Sequence, residues 1–206
     1  MGKFITFEGI EGCGKSTQIK LLAEWLLSLG KRVVLTREPG GTELGEQIRI
    51  LIKEWAIGRP FSARAELLLF EASRAQHVEE KILPALEEGI DVLCDRFFDS
   101  SIAYQGEARK IPQSDVMFLN NFAAGDLLPD LTVIVDITPE ESVQRLLKRG
   151  DRTDRIERES TKFFEDVRSK YLSIARNDPR FLVVNGSQGI SDTQDEIRKK
   201  YRAKFM

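Results

Sequence analysis

Eight residues near the N-terminus, Gly9-Ile10-Glu11-Gly12-Cys13-Gly14-Lys15-Ser16, constrain this chain more than any other stretch. They fit the pattern G-x-x-x-x-G-K-[ST]. An apolar run from Lys3 to Phe7 precedes them, and a helical pattern follows in which Ile19, Leu22, Ala23 and Leu26 share one face. Strand, glycine loop and helix form the context in which this pattern cradles phosphate. Glycines let backbone N–H groups converge on anionic oxygens without a Cβ in the way, and the helix N-terminus adds positive potential at the same place. On this reading Lys15 reaches the β- and γ-phosphates of ATP and the Ser16 hydroxyl ligates Mg²⁺. Gly9, Ile10, Glu11, Gly12, Cys13, Gly14 and Thr17 line the remainder of the nucleotide's phosphate chain.

The remaining sequence alternates short apolar runs with helix-period stretches. Val33 to Thr36, Ile90 to Cys94, Leu131 to Val135 and Phe181 to Val184 read as further strands. Ser62 is expected to cap a long helix that runs to Ile82, with Pro84 at its end. Thr138-Pro139-Glu140-Glu141 has the form of a capping box, and Ser191-Asp192-Thr193-Gln194 is expected to cap the last helix. Five buried strands alternating with helices predict an α/β fold, a parallel sheet covered on both faces, in a single domain over residues 1–206. In such sheets ligands bind at the carboxyl ends of the strands.

Composition narrows the partners. Acidic residues number 33 and basic residues 31, a net charge of −2, so a nucleic-acid polymer, which demands a broad positive field, is excluded as a partner. Cys13 and Cys94 are too few for a disulfide framework or a four-thiolate zinc site, and a single histidine, His77, leaves no His-rich metal site. No apolar run approaches the roughly 18 residues of a membrane span. The chain is therefore expected in the cytoplasm, away from the membrane.

Other candidate residues follow strands or share a helix face. Asp95 ends the third strand, where a second acid meets Mg²⁺ directly or through water, and Arg96 beside it suits a bidentate clamp on an oxyanion. Phe70 and Arg74, four residues apart, share a helix face and suit stacking of a base and bonding of its edge. Residues 145 to 158 hold six basic side chains (Arg145, Lys148, Arg149, Arg152, Arg155 and Arg158) and three acids, a local excess of +3. That stretch is expected to form a mobile surface lid that brings arginines to the transferred phosphoryl group. Cys13 reads as a small residue tolerated in the loop, and His77 as a packing residue.

Together these residues resemble the bacterial thymidylate kinase family. The resemblance rests on Phe7-Glu8-Gly9 with the glycine loop, Thr36-Arg37-Glu38-Pro39-Gly40-Gly41-Thr42, Leu69-Phe70 with Arg74 and Gln76, Asp95-Arg96, Ala103-Tyr104-Gln105-Gly106, and Asp154-Arg155-Ile156-Glu157. It implies strand order 2-3-1-4-5, a homodimer, and phosphoryl transfer from ATP to dTMP with Mg²⁺. It also implies that Glu11 meets the sugar 3′-OH, that Pro39 lies near the 5-methyl group of the base, and that Glu38 is among the substrate-binding residues. Phe70 stacks thymine, Arg74 bonds its edge, Ser101 and Gln105 complete the base pocket, Tyr104 crowds the 2′ position, and Arg96 bridges phosphates. Some members carry a catalytic arginine inside the loop. This chain has none there, so the resemblance implies that Arg149, Arg152 and Arg155 of the lid take that role. Where many relatives have Tyr or His after Asp-Arg, this chain has Phe97.

Other readings are open at this point. A deoxynucleoside kinase would share the glycine loop and an aromatic slot, with Glu38 as the base for a 5′-OH. A P-loop switch or ATPase motor is another; a GTPase would usually carry an N-K-x-D guanine signature, which is absent, and a short chain with a base-stacking helix and an acceptor pocket fits a switch poorly. A non-catalytic binding module would not require the full set Lys15, Ser16, Asp95 and Arg96. Adenine contacts are expected from Asn185-Gly186-Ser187.

Overall fold

The computed structural model describes residues 1–150, 153–176 and 178–206. Strand β1 (Phe4–Glu8) has every residue buried, as a strand covered on both faces must. It leads through the glycine loop into α1 (Lys15–Ser28), then β2 (Val33–Arg37) and α2 (Glu43–Ile50). Thr42 caps α2 by accepting from the Gly45 N–H at 3.0 Å. One π-helical turn, Leu51–Trp55, follows α2 directly.

The predicted long helix begins at α3 (Ala63–His77), passes through a π-helical turn at Val78–Ile82, and ends as α4 (Leu83–Glu87). Pro84 lacks an N–H, and the wider turn ahead of it absorbs that missing bond without ending the helix. Ser62 stands at the start of α3 but its side chain caps nothing. Strand β3 (Asp91–Asp95) leads into α5 (Phe98–Ser101), which continues as π-helical backbone from Ile102 to Ala108. Then come α6 (Gln113–Ala124), β4 (Leu131–Asp136), α7 (Pro139–Arg149), α8 (Thr161–Ala175), β5 (Phe181–Asn185) and α9 (Ile190–Phe205).

Thr138 caps α7 as its sequence predicts, accepting from the Glu141 N–H at 3.3 Å. Helix α9 starts earlier than expected, after Gly189, so Ser191 to Gln194 lie within its first turns, and Thr193 Oγ1 donates back to the carbonyls of Asn185 and Gly189.

Among the described residues the strands form one sheet in the order β2-β3-β1-β4-β5, parallel throughout. The central register pairs Phe7 with Asp95 and with Val133. The carboxyl ends of β1, β2 and β3 therefore lie side by side, and Glu8, Arg37 and Asp95 end them. The main core packs Ile5, Phe7, Leu22, Leu26, Leu93 and Val133 with α8 and α9 through Phe164, Val167, Ile197 and Tyr201. A second cluster around Phe4, Val92, Cys94 and Phe97 lies against α4 and the π-helical turn before it. Among the described residues no helix is long and apolar enough to cross a membrane.

Candidate active site

The glycine loop leaves β1 at a point where only glycine fits. Gly9 has φ +134, and a Cβ there would lie 2.5 Å from the Val135 carbonyl oxygen. Gly12 and Gly14 are also left-handed, at φ 70 and 103. The loop is braced from α7: Ser142 Oγ donates to the Glu11 carbonyl at 2.7 Å, and Arg145 donates to the carbonyls of Gly12, Cys13 and Gly186. Arg145 thus acts as a strut of the loop. Lys15 is 7% exposed, and its ammonium donates to the Gly9 and Ile10 carbonyls at 3.1 and 3.0 Å. Cys13 is buried with Sγ 3.4 Å from Lys15 Nζ. Ser16 Oγ donates to Asp95 Oδ2 at 2.9 Å. A hydroxyl and a carboxylate side by side at the mouth of the loop are hard oxygen donors of the kind Mg²⁺ takes.

Arg96 sits just past β3 with φ 72, a conformation that an arginine adopts only when its surroundings hold it. Four groups do so. Its guanidinium donates to Glu11 Oε1 at 2.9 Å, to the Tyr104 hydroxyl at 3.1 Å, and to Ser100 and the Tyr171 hydroxyl at 3.2 Å each. The Tyr104 hydroxyl donates to the other Glu11 oxygen at 2.7 Å. Glu8 lies beneath this group and accepts from the Phe97 N–H, Ser100 Oγ and the Tyr171 hydroxyl at 2.8, 2.6 and 2.7 Å. Burial, with Asp99 adding to it, pushes the Glu8 carboxyl up to about 7 against the opposing pull of Arg96.

The other end of the cleft is a network of buried charges. Arg74 is 1% exposed and donates from Nε to Glu38 at 2.9 Å and from Nη1 to Glu71, Ser101 and Asn120 at 2.7, 3.1 and 2.8 Å. Burial opposes its charge, but Glu38 and Glu71 together raise the guanidinium above its usual range. His77 bridges Glu38 Oε1 at 3.1 Å and Thr36 Oγ1 at 2.6 Å. Glu38 is therefore committed to Arg74 and His77, which disfavours it as the free base that the deoxynucleoside-kinase reading requires. Phe97 is part of the core: its ring meets Phe4 edge-on at 4.9 Å and supports the Arg74 guanidinium at 5.4 Å, a task that needs no hydroxyl.

One cavity joins the two ends. Glu11, Lys15, Ser16, Asp95 and Arg96 line it at the loop, and Glu38, Pro39, Phe70, Tyr104 and Gln105 line it opposite. Ser101 and Arg74 stand behind that wall. Arg37, which lies in the Thr36 to Thr42 motif without an assigned role, also faces it, as do Arg49 and Lys53, which no motif singled out. Arg37 is the last residue of β2. Arg49 and Lys53 lie in a helical stretch without a motif, and only the fold turns them inward. Burial and the neighbouring Arg37 lower the Arg49 guanidinium from its usual range, as two like charges facing an anion site would.

The lid segment is tied down more than its charged sequence suggests. Arg149 pairs with Glu157 at 2.9 Å. Arg155 donates to the Ile52 carbonyl at 3.1 Å, pairs with Glu66, and stacks on Phe61. Asp154 pairs with Lys53 and caps the N–H groups of Ile156 and Glu157 at 2.8 and 3.0 Å. Lys53, Ile52, Glu66 and Phe61 come from other elements, so periodicity within the segment could not announce them. Arg152 lies outside the described residues.

The loop, the helix it opens and the strand-end acid place this chain among P-loop NTPase-fold proteins, of the kind that act on a nucleotide held opposite the loop. A family model described as thymidylate kinase matches residues 7–197. A thymidylate kinase from Geobacter sp. (strain M21) is 48% identical, with 98% of this chain and 94% of that protein aligned. One from Thermoanaerobacter sp. (strain X514) is also 48% identical, over 95% of each chain. The crystal structure of thymidylate kinase from Ehrlichia chaffeensis superposes with a TM-score of 0.78 at 36% identity, covering 98% of both chains. The chain belongs to the thymidylate kinase family.

Proposed function

We propose that this chain transfers the γ-phosphoryl group of ATP to dTMP, yielding dTDP and ADP. An oxygen of the dTMP phosphate attacks the γ-phosphorus while the bond to the β,γ-bridging oxygen breaks, and the electron pair leaves with ADP. The observation that carries this reading is the single cavity walled by Lys15, Ser16 and Asp95 at one end and by Pro39, Phe70 and Gln105 at the other. It offers a phosphate cradle and a base slot within one enclosure, as an in-line transfer between two nucleotides requires.

The residues divide by position. Loop residues Gly9 to Thr17 take the ATP phosphates, with Lys15 at the transferred group. Ser16 and Asp95 would hold Mg²⁺, which when bound draws charge from the β- and γ-oxygens. Arg96 bridges the acceptor phosphate, and Arg37 and Arg49 add positive potential beside it. Glu11 meets the sugar 3′-OH, and Tyr104, bonded to Glu11, closes the 2′ side. Phe70 stacks the base over Pro39, with Glu38, Arg74, Ser101 and Gln105 around its edge. Arg149, Arg152 and Arg155 supply transition-state charge that the loop, lacking an arginine, does not. Arg155 must leave Glu66 to do so.

The chain works in the cytoplasm as a homodimer. The exposed rings of Phe118 and Phe122 on α6, 70% and 81% exposed, with Leu68 on the neighbouring α3, form the apolar face that a second copy would cover. Sedimentation of Phe122→Glu tests this, the expected shift being toward monomer.

Steady-state turnover with dTMP, thymidine, dUMP and dCMP as acceptors tests the activity itself. dTMP is expected to be the preferred acceptor; phosphorylation of thymidine without dTMP would overturn the reading.

A further inference from the structure

The side chains assigned above to the base edge include two neutral ones, Gln105 and Ser101. A neutral amide or hydroxyl can present either a donor or an acceptor. Their polarity here is imposed from behind. Gln105 Nε2 donates to Glu66 Oε1 at 2.6 Å, and Ser101 Oγ donates to Glu71 Oε1 at 3.0 Å. Both glutamates stand on α3 and are buried, 1% and 5% exposed. Glu66 is paired with Arg109 and Arg155, and Glu71 with Arg74. An ion-paired carboxylate only accepts, so the Gln105 amide must turn its nitrogen toward Glu66. Its carbonyl oxygen is then left for the cavity that Gln105 lines. Ser101 is engaged on both sides behind the wall, donating to Glu71 and accepting from Arg74 at 3.1 Å, so of the two the acceptor facing the cavity is Gln105 alone.

We infer that Glu66 is a specificity-determining positioning residue. It holds Gln105 as an acceptor beside the Arg74 donor, and so selects a pyrimidine with a ring N–H next to a carbonyl over one with a bare ring nitrogen next to an amino group. Thymine has the first edge and cytosine the second. A cytosine would set its ring nitrogen against an acceptor and its amino group against a guanidinium, leaving buried polar groups unpaired. The inference rests on the acceptor-site assignment given above and goes beyond it to a residue that does not touch the nucleotide.

The test is the ratio of kcat/KM for dTMP over dCMP in Glu66→Gln. A glutamine at 66 either donates or accepts, so it releases the Gln105 amide to turn over. The ratio is expected to fall at least tenfold, carried by KM, while Glu66→Asp, which keeps the carboxylate, retains the preference. A purely structural role would weaken both nucleotides together and leave the ratio unchanged; that result in folded Glu66→Gln would overturn the inference. A second arm needs no variant. The wild-type protein should bind N3-methyl-dTMP at least tenfold more weakly than dTMP, and equal binding would overturn the acceptor arrangement even if Glu66→Gln does not fold. If the wild-type protein turns over no pyrimidine nucleotide, the acceptor assignment itself fails; if it turns over dTMP and only the ratio stays unmoved, this inference alone fails.

Discussion

At the phosphate end of the cleft, the cradle is built of backbone N–H groups and one ammonium from consecutive residues Gly9 to Ser16, with Asp95 and Arg96 added from the end of β3. At the base end they are side chains from four separate places: Glu38 after β2, Arg74 on α3, Ser101 on α5 and Gln105 on the π-helical segment. The first end carries its geometry in its own covalent backbone. The second is assembled by ion pairs of Glu38 and Glu71 with Arg74 and of Glu66 with Arg109 and Arg155, with His77 hydrogen-bonded to Glu38, and the three carboxylates, Arg74 and His77 are all buried. The difference separates rate from stability. A change in the cradle should cost turnover and leave the fold intact, whereas a change in the base network should cost both, because a buried charge that loses its partner remains buried.

The largest effect expected is at the base end. Arg74→Met leaves Glu38 and Glu71 without their cation and should lower unfolding stability by about 3–5 kcal/mol, read from urea denaturation. A loss under about 1 kcal/mol would mean that the network is not the anchor described here.

Lys15→Ala should lower turnover about 10²–10³-fold with an unchanged urea midpoint. A matching loss of stability would erase the contrast between the two ends.

Glu8 sharpens the comparison, because it is a buried carboxyl at the phosphate end. Its carboxyl is raised from 4.5 to about 7, so the native state holds a proton that the unfolded chain releases. The stability this contributes is complete below about pH 4.5 and is lost as pH rises through about 7. Glu8→Gln, which stays neutral, should therefore gain on the wild type between pH 5 and 8 by up to about 3 kcal/mol. A difference between the two proteins that does not vary with pH would refute the assignment.

The smallest effect is at the stacking ring. Phe70→Ala should weaken dTMP by about 1–3 kcal/mol while ATP affinity holds. Isothermal titration with each nucleotide distinguishes this from a general collapse of the cleft, in which both would weaken equally.

The strands, the glycine loop with Lys15 and Ser16, and the pair Asp95 and Arg96 were legible in the sequence, and the strand order came from the resemblance. Each of the former depends on a contiguous pattern: short apolar runs, fixed glycine spacing, or a position at or just past the end of a strand. Phe70 and Arg74 were legible as a pair at helical spacing, and the resemblance supplied their neighbours. Arg49, Lys53, Glu66, Glu71 and Tyr171 were not legible. Nothing within a few residues of any of them marks it, and each acquires its role from a partner tens of residues away, such as Gln105 for Glu66 or Arg96 for Tyr171. The lid was read as bare charge, and the structure instead fastens Asp154 to Lys53 and Arg155 to Glu66.

What the sequence determined by itself was the phosphate chemistry, because a glycine loop between strand and helix has its shape written in local φ and ψ preferences. What only the tertiary structure decided was which way the neutral side chains of the base pocket point. A glutamine's donor and acceptor ends are covalently equivalent choices until a buried carboxylate from another helix takes one of them, and no local rule of the chain places that carboxylate.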